Sequence, residues 1–152
     1  MISPFRHLPD HLVLRTQEEC VPFSGDSLES QSYRDVSWEL TDTPHGLDIA
    51  VTAEDTTLRE LVLRWDLTFP QNCRFLGGTW ERGYGDQEWR GFVPERVMPW
   101  YFLADNGQEV LCFGVKVQPH AFCFWTVDPR GFSLHLDLRC GGEGVRLQGR
   151  KL

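Results

Sequence analysis

The stretch ELVLRWDLTF, residues 60–69, decides the fold class. Leu61, Leu63, Trp65, Leu67 and Phe69 fall on one side of an extended chain, and Val62, Arg64, Asp66 and Thr68 on the other. Side chains of a strand alternate between faces, so this period of two predicts a half-buried strand with one wet side. Residues 132–139 repeat it, with Phe132, Leu134, Leu136 and Leu138 inward and Ser133, His135, Asp137 and Arg139 outward. Val36, Trp38 and Leu40 make a shorter case, and Leu47, Ile49 and Val51 another.

Residues 98–103, 110–117 and 121–127 are apolar on both faces, which predicts central strands covered on both sides. Turn chemistry separates the runs: TPHG at 43–46, DNG at 105–107, QP at 118–119, DPRG at 128–131 and GG at 141–142. No stretch sustains an apolar i, i+3, i+4 stripe, and residues 56–59 allow one helical turn at most. The Ser- and Glu-rich segment 17–31 reads as a long surface loop. The pattern indicates an all-β protein, an antiparallel two-sheet β-sandwich with little or no helix, as one domain over residues 1–152. The final residues read as a strand and its exit, which suggests the N-terminal part of a longer polypeptide.

The 152 residues are 41% apolar and 24% charged, a globular composition large enough to bury a core without disulfides or metal. No apolar run has the roughly 18 residues of a membrane span. A net charge of −7 with scattered arginines argues against nucleic acid, because phosphates are repelled unless basic residues segregate into a patch. The five cysteines have no CxxC spacing and read as small buried hydrophobes of a reducing compartment. With no continuous apolar leader at the start, this gives a cytoplasmic expectation.

The chemistry concentrates in WERGYGDQEWRG, residues 80–91. No Gly-x-Ser-x-Gly elbow and no phosphate-binding glycine motif occurs. The histidines are dispersed, and Pro9 interrupts the His7-x-x-x-His11 spacing, so neither a metal nor a cofactor is expected. Glu81, Asp86, Glu88 and Glu95 cluster, and two acids roughly 5–10 Å apart are what a glycosidase needs. The plainer reading pairs them with Arg82, Arg90 and Arg96. Of six tryptophans, Trp38, Trp65 and Trp125 lie on strand faces, whereas Trp80, Trp89 and Trp100 lie in or beside the glycine-rich region. An indole offers sugars a wide apolar face with one polar edge, and charged groups bond the hydroxyls. The candidate substrate-binding residues are therefore Trp80, Tyr84, Asp86, Glu88, Trp89 and Arg90, with no catalytic residue assigned.

These residues carry a resemblance. Trp80-Glu-Arg-x-Tyr-Gly-Asp-x-Glu-Trp-Arg90, Pro94-Glu-Arg96, Met98-Pro-Trp-Tyr101, Gly114-Val-Lys116, Phe122-Cys-Phe-Trp125, Leu136-Asp-Leu-Arg139 and Gly141-Gly-x-Gly-Val145 resemble the N-terminal β-sandwich of family 36-type α-galactosidases, clan D glycoside hydrolases. The resemblance covers residues 77–147; residues 1–70 match only as a pattern of strands. It implies a supersandwich-like accessory domain, not itself an enzyme, that supports a catalytic (β/α)₈ barrel. A barrel takes roughly 250 residues, which this chain does not contain. The implied partners are that barrel, a galactoside or other sugar, and further subunits of a homo-oligomer, with neither nucleic acid nor membrane. By position, Asp86 and Trp89 would reach the rim of the sugar pocket. A free-standing carbohydrate-binding module and a protein-docking domain are the alternatives.

Overall fold

A computed structural model describes residues 8–25, 28–81, 83, 85–116, 120–139 and 141–151. Among the described residues every regular element is a strand, and the pairings are antiparallel, so the fold is all-β as the alternation predicts. The chain divides into two compact units, residues 1–65 with 138–152, and residues 66–137.

In the first unit β1 (His11–Thr16) lies between β2 (Cys20–Ser24) and β6 (Thr57–Asp66), with Val13 opposite Pro22 on one side and Val62 on the other. The strands β3 (Ser30–Tyr33), β4 (Val36–Thr43) and β5 (Gly46–Ala53) form a meander. Its two turns are Arg34-Asp35 and Pro44-His45. On β4 Val36, Trp38 and Leu40 are buried between exposed Ser37, Glu39 and Thr41. The Trp38 ring lies 4.8 Å from Phe23 of β2, and its Nε1 donates to the Leu28 carbonyl at 3.1 Å. Rings from both sheets thus share one core, each buried apolar side chain contributing about 1.5–3 kcal/mol.

Two expectations change here. Segment 17–31 is not one long loop, because β2 lies within it, tied to β1 along five residues of register. Its alternation is shallow, since Val21 and Phe23 are only half-buried. The outward face of β6 is wet only towards its end: Glu60 is 4% and Val62 7% exposed, whereas Arg64 is half-buried and Asp66 exposed. Glu60 stands opposite Arg15 in the register, and Arg15 Nη1 lies 2.8 Å from its Oε2. A carboxylate can be buried there because a cation sits across the strand.

The second unit holds β7 (Arg74–Gly77), β8 (Met98–Pro99), β9 (Tyr101–Asp105), β10 (Val110–Gly114), β11 (Phe122–Asp128) and β12 (Gly131–Asp137). They pair as β10-β9-β7 and as β12-β11-β8. Back in the first unit, β13 (Val145–Arg146) pairs with β6 at Leu58 and Thr57. The core between the two sheets of the second unit is aromatic. Phe102 stacks on Phe113 at 4.7 Å and 12°, and meets Trp125 at 5.4 Å and Phe132 at 5.7 Å. Such contacts add about 0.5–1.5 kcal/mol each beyond the area they bury.

Residues 98–103 are not one strand. Trp100 takes a left-handed backbone, φ 68°, and there the chain passes from β8 in one sheet to β9 in the other. Its N–H donates to the Cys123 carbonyl at 3.1 Å, and its carbonyl accepts from Val115 N at 3.0 Å and Trp125 Nε1 at 3.3 Å. These three bonds hold a conformation unfavourable to a bulky side chain. Nor is β10 a central strand: it closes one side of its sheet, with Val110, Cys112 and Gly114 exposed. Cys20 is likewise exposed, so of the cysteines only Cys73 and Cys123 are buried among the described residues.

Candidate functional site

The loop between β7 and β8 carries the sequence motif. Backbone bonds anchor it: Phe75 N donates to Arg90 O at 2.7 Å and Arg90 N to Phe75 O at 3.0 Å. Arg74 Nη2 holds the Trp89 carbonyl at 2.9 Å. At the centre is Arg96, whose side chain is only 8% exposed. Its Nη1 donates to Phe75 O at 2.9 Å, and its Nη2 to the carbonyls of Asp86 at 3.1 Å and Glu88 at 3.0 Å. A planar guanidinium with several fixed donors suits such convergent carbonyls.

The motif's acids face arginines. Arg90 Nε lies 2.7 Å from Asp86 Oδ2 and Arg90 Nη2 3.1 Å from Glu88 Oε2, while Arg96 Nε stands 3.7 Å from Asp86 Oδ2. The Glu88 N–H donates to Asp86 Oδ1 at 3.2 Å, closing a side-chain turn. Desolvation pushes the Asp86 carboxyl up, but the Glu88 N–H and the guanidinium groups of Arg90 and Arg96 outweigh it and hold the group below the usual carboxylate range. Asp86, Glu88 and Arg90 are thus brought together, chiefly with one another. This is the ion-pair arrangement, and it leaves Asp86 ionised, unsuited to donate a proton as a general acid. Trp89 is half-buried, and Glu81 and Glu95 are exposed. Tyr84 and Arg82 lie outside the described residues.

Trp80 differs in setting. It is 48% exposed, and three aromatic rings surround it: Trp100 at 5.3 Å and 81°, Phe122 at 5.7 Å and 81°, and Phe124 at 6.5 Å and 71°. Phe124 in turn stacks on His135 at 4.4 Å and 5°, and His135 Nε2 lies 3.0 Å from Thr126 Oγ1. Phe122 and Phe124 belong to β11, on the face opposite buried Cys123 and Trp125. Sequence reasoning did not place them at the site. The signal was present, since alternation sets these two phenylalanines apart from the core side of their strand.

A cleft of about 300 Å³ in the first unit was also not foreseen. Glu18, Glu19, Arg34, Asp35, Thr56 and Arg146 line it. Asp35 accepts from Thr56 Oγ1, from Thr56 N at 2.9 Å and from Asp55 N at 2.7 Å. These donors, the Thr56 hydroxyl first, hold its carboxyl far below the usual range. Arg34, its guanidinium 5.6 Å from the Tyr33 ring centre, pairs with Glu19 at 3.1 Å. The cleft's charges therefore largely satisfy one another. Among the described residues no three His, Cys, Asp or Glu side chains gather as metal ligands.

Comparison with protein-family models, with curated proteins and with solved structures returned no match.

Proposed function

We propose that this chain is a non-catalytic accessory β-domain that contacts a carbohydrate through the aromatic cluster centred on Trp80. In its specific form the sugar is a galactoside, held at the pocket of an α-galactosidase-like glycoside hydrolase whose catalytic barrel lies outside this chain. The carrying observation is the half-exposed Trp80, ringed by Trp100, Phe122 and Phe124. An indole braced by other rings keeps its face at low entropic cost, and the apolar face of a pyranose stacks on such a surface. The acids support an accessory role in another way. Asp86 and Glu88 are engaged by Arg90, so these two acids form a shaped polar rim and neither is held in reserve as a proton donor.

Calorimetry with methyl α-galactoside tests this reading. Saturable heat is expected in the wild type, lost in Trp80→Ala and retained in Trp89→Ala. Absence of binding at millimolar ligand, or binding unchanged in Trp80→Ala, overturns it. Protein docking is the second reading, and the crossing of the rings at 81° favours it, because such a cluster presents ridges as well as a face. It requires that no simple sugar bind.

A further inference from the structure

The edge strand β10 has features that the sugar reading does not use. Natural sheets protect exposed edges with proline, charge, brevity or a covering segment. Here β2 carries Pro22, β8 has two residues, β7 takes a bridge from Arg90, β5 takes one from Lys151, and β3 is Ser30-Gln-Ser-Tyr33. By contrast β10 reads Val110-Leu-Cys-Phe-Gly114, with neither proline nor charge.

The direction of its backbone groups follows from the ladder to β9. Asn106 N donates to Glu109 O at one end, and Val115 N to Trp100 O at the other. The register Leu111↔Ala104 and Phe113↔Phe102 has the same parity, so residues 111 and 113 bond inward to β9. Residues 110, 112 and 114 therefore turn their N–H and C=O groups away from β9. The side chains of the same residues lie on the exposed face: Val110 is 55% exposed, and Cys112 and Gly114 are exposed as well.

We propose that β10 is a homophilic edge, at which two copies of the chain pair their β10 strands antiparallel about a two-fold axis through Cys112. That register sets Cys112 opposite Cys112 and Val110 opposite Gly114. All the hydrogen-bonding residues, 110, 112 and 114, then meet hydrogen-bonding residues of the second copy. An axis through Leu111 or Phe113 keeps this parity but pairs only two of the three residues within the strand, and an axis between residues would set outward groups against inward-bonded ones. Val110 faces a glycine, so its side chain meets no opposing Cβ. The ends are complementary in charge, because exposed Glu109 of one copy comes within one residue of the position facing Lys116 of the other. The interface is isologous and closes on itself. The proposal does not depend on the sugar reading.

Sedimentation in reducing buffer tests it with the whole chain. The wild type is expected to dimerise with rising concentration. Val110→Lys places like charge on the edge, and Cys112→Pro removes an outward N–H while leaving the β9 ladder intact. Each is expected to weaken dimerisation about tenfold or more, with the thermal midpoint of the dilute protein within a few degrees of wild type for Val110→Lys. Chemical cross-linking gives a register-specific readout. In a Cys20→Ser/Cys140→Ser background, one Cys112 thiolate attacks oxidised glutathione, releasing one glutathione thiolate. The second copy's Cys112 thiolate then attacks the mixed disulfide and releases the other, and the two displaced thiolates take up the two protons. Directly opposed hydrogen-bonded residues have Cα atoms about 5.5 Å apart, inside the roughly 4.4–6.8 Å range of a disulfide. A covalent dimer that disappears on adding Cys112→Ser is expected. A wild type that stays monomeric at every concentration, or a dimer undiminished by both edge variants, overturns the proposal.

Discussion

Arg96 and Asp35 each close a turn, by opposite chemistry. Arg96 gathers the carbonyls of Phe75, Asp86 and Glu88 with its side chain only 8% exposed. Arg96→Ala removes this donor from the Asp86 and Glu88 carbonyls and leaves the Phe75 carbonyl only the Arg90 N–H, and a loss of about 1–3 kcal/mol is expected in urea denaturation. Arg96→Lys should recover less than half of it, since one ammonium cannot reproduce a planar fork of donors. Asp35 gathers donors instead, and its carboxyl is held below the usual range by the Thr56 hydroxyl and the N–H groups of Thr56 and Asp55. Because the folded value lies below the unfolded one of about 3.9, its contribution is complete above that pH and is lost as pH falls towards the folded value. Asp35→Asn should be less stable than wild type at neutral pH, and the gap should narrow steadily as denaturation curves are taken at lower pH from about 4 downward. A gap that stays constant into acid would show that ionisation contributes nothing.

At the scale of elements, the close approach of β7 to β8 is set by missing side chains. A Cβ at Gly78 would stand 2.1 Å from the Pro99 carbonyl oxygen, a backbone atom that cannot swing aside. Gly78→Ala should therefore cost about 1–3 kcal/mol through forced displacement. Gly114→Ala, whose Cβ would meet Tyr101 Cβ at an ordinary 3.5 Å, should be near neutral, the two variants being compared by urea denaturation. Strand identity was legible from the period of two, because burial of one face is local information carried by each residue. Trp100 was not legible as a break, since its left-handed φ depends on bonds to Cys123, Val115 and Trp125 from distant strands. The place of β10 was hidden for a related reason. Apolar residues on both faces usually mean a covered strand, yet Val110 and Cys112 lie exposed.

For the molecule as a whole, fold class was readable and the division into two compact units was not, because the first unit is assembled from residues 1–65 and 138–152. The candidate site was half legible. Composition pointed to Trp80 and to the acidic loop, but not to Phe122 and Phe124, which join Trp80 only once β11 is placed beside β8. The pairing of Asp86 and Glu88 with Arg90 was legible, being the plainer reading of acids and arginines set so close in sequence.

Cys73 and Cys123 lie buried in the second unit, and desolvation pushes both thiols up, Cys123 to about 11, with Asp105 adding to the effect at Cys73. Only a thiolate reacts with an alkylating reagent, so each sulfur is silent until the fold opens around it. In a chain whose Cys20, Cys112 and Cys140 are serine, these two atoms become a clock. If the second unit opens as one body, mass spectrometry should find both alkylated at a common rate that rises together with denaturant. If one end frays first, Cys73 and Cys123 will keep different time.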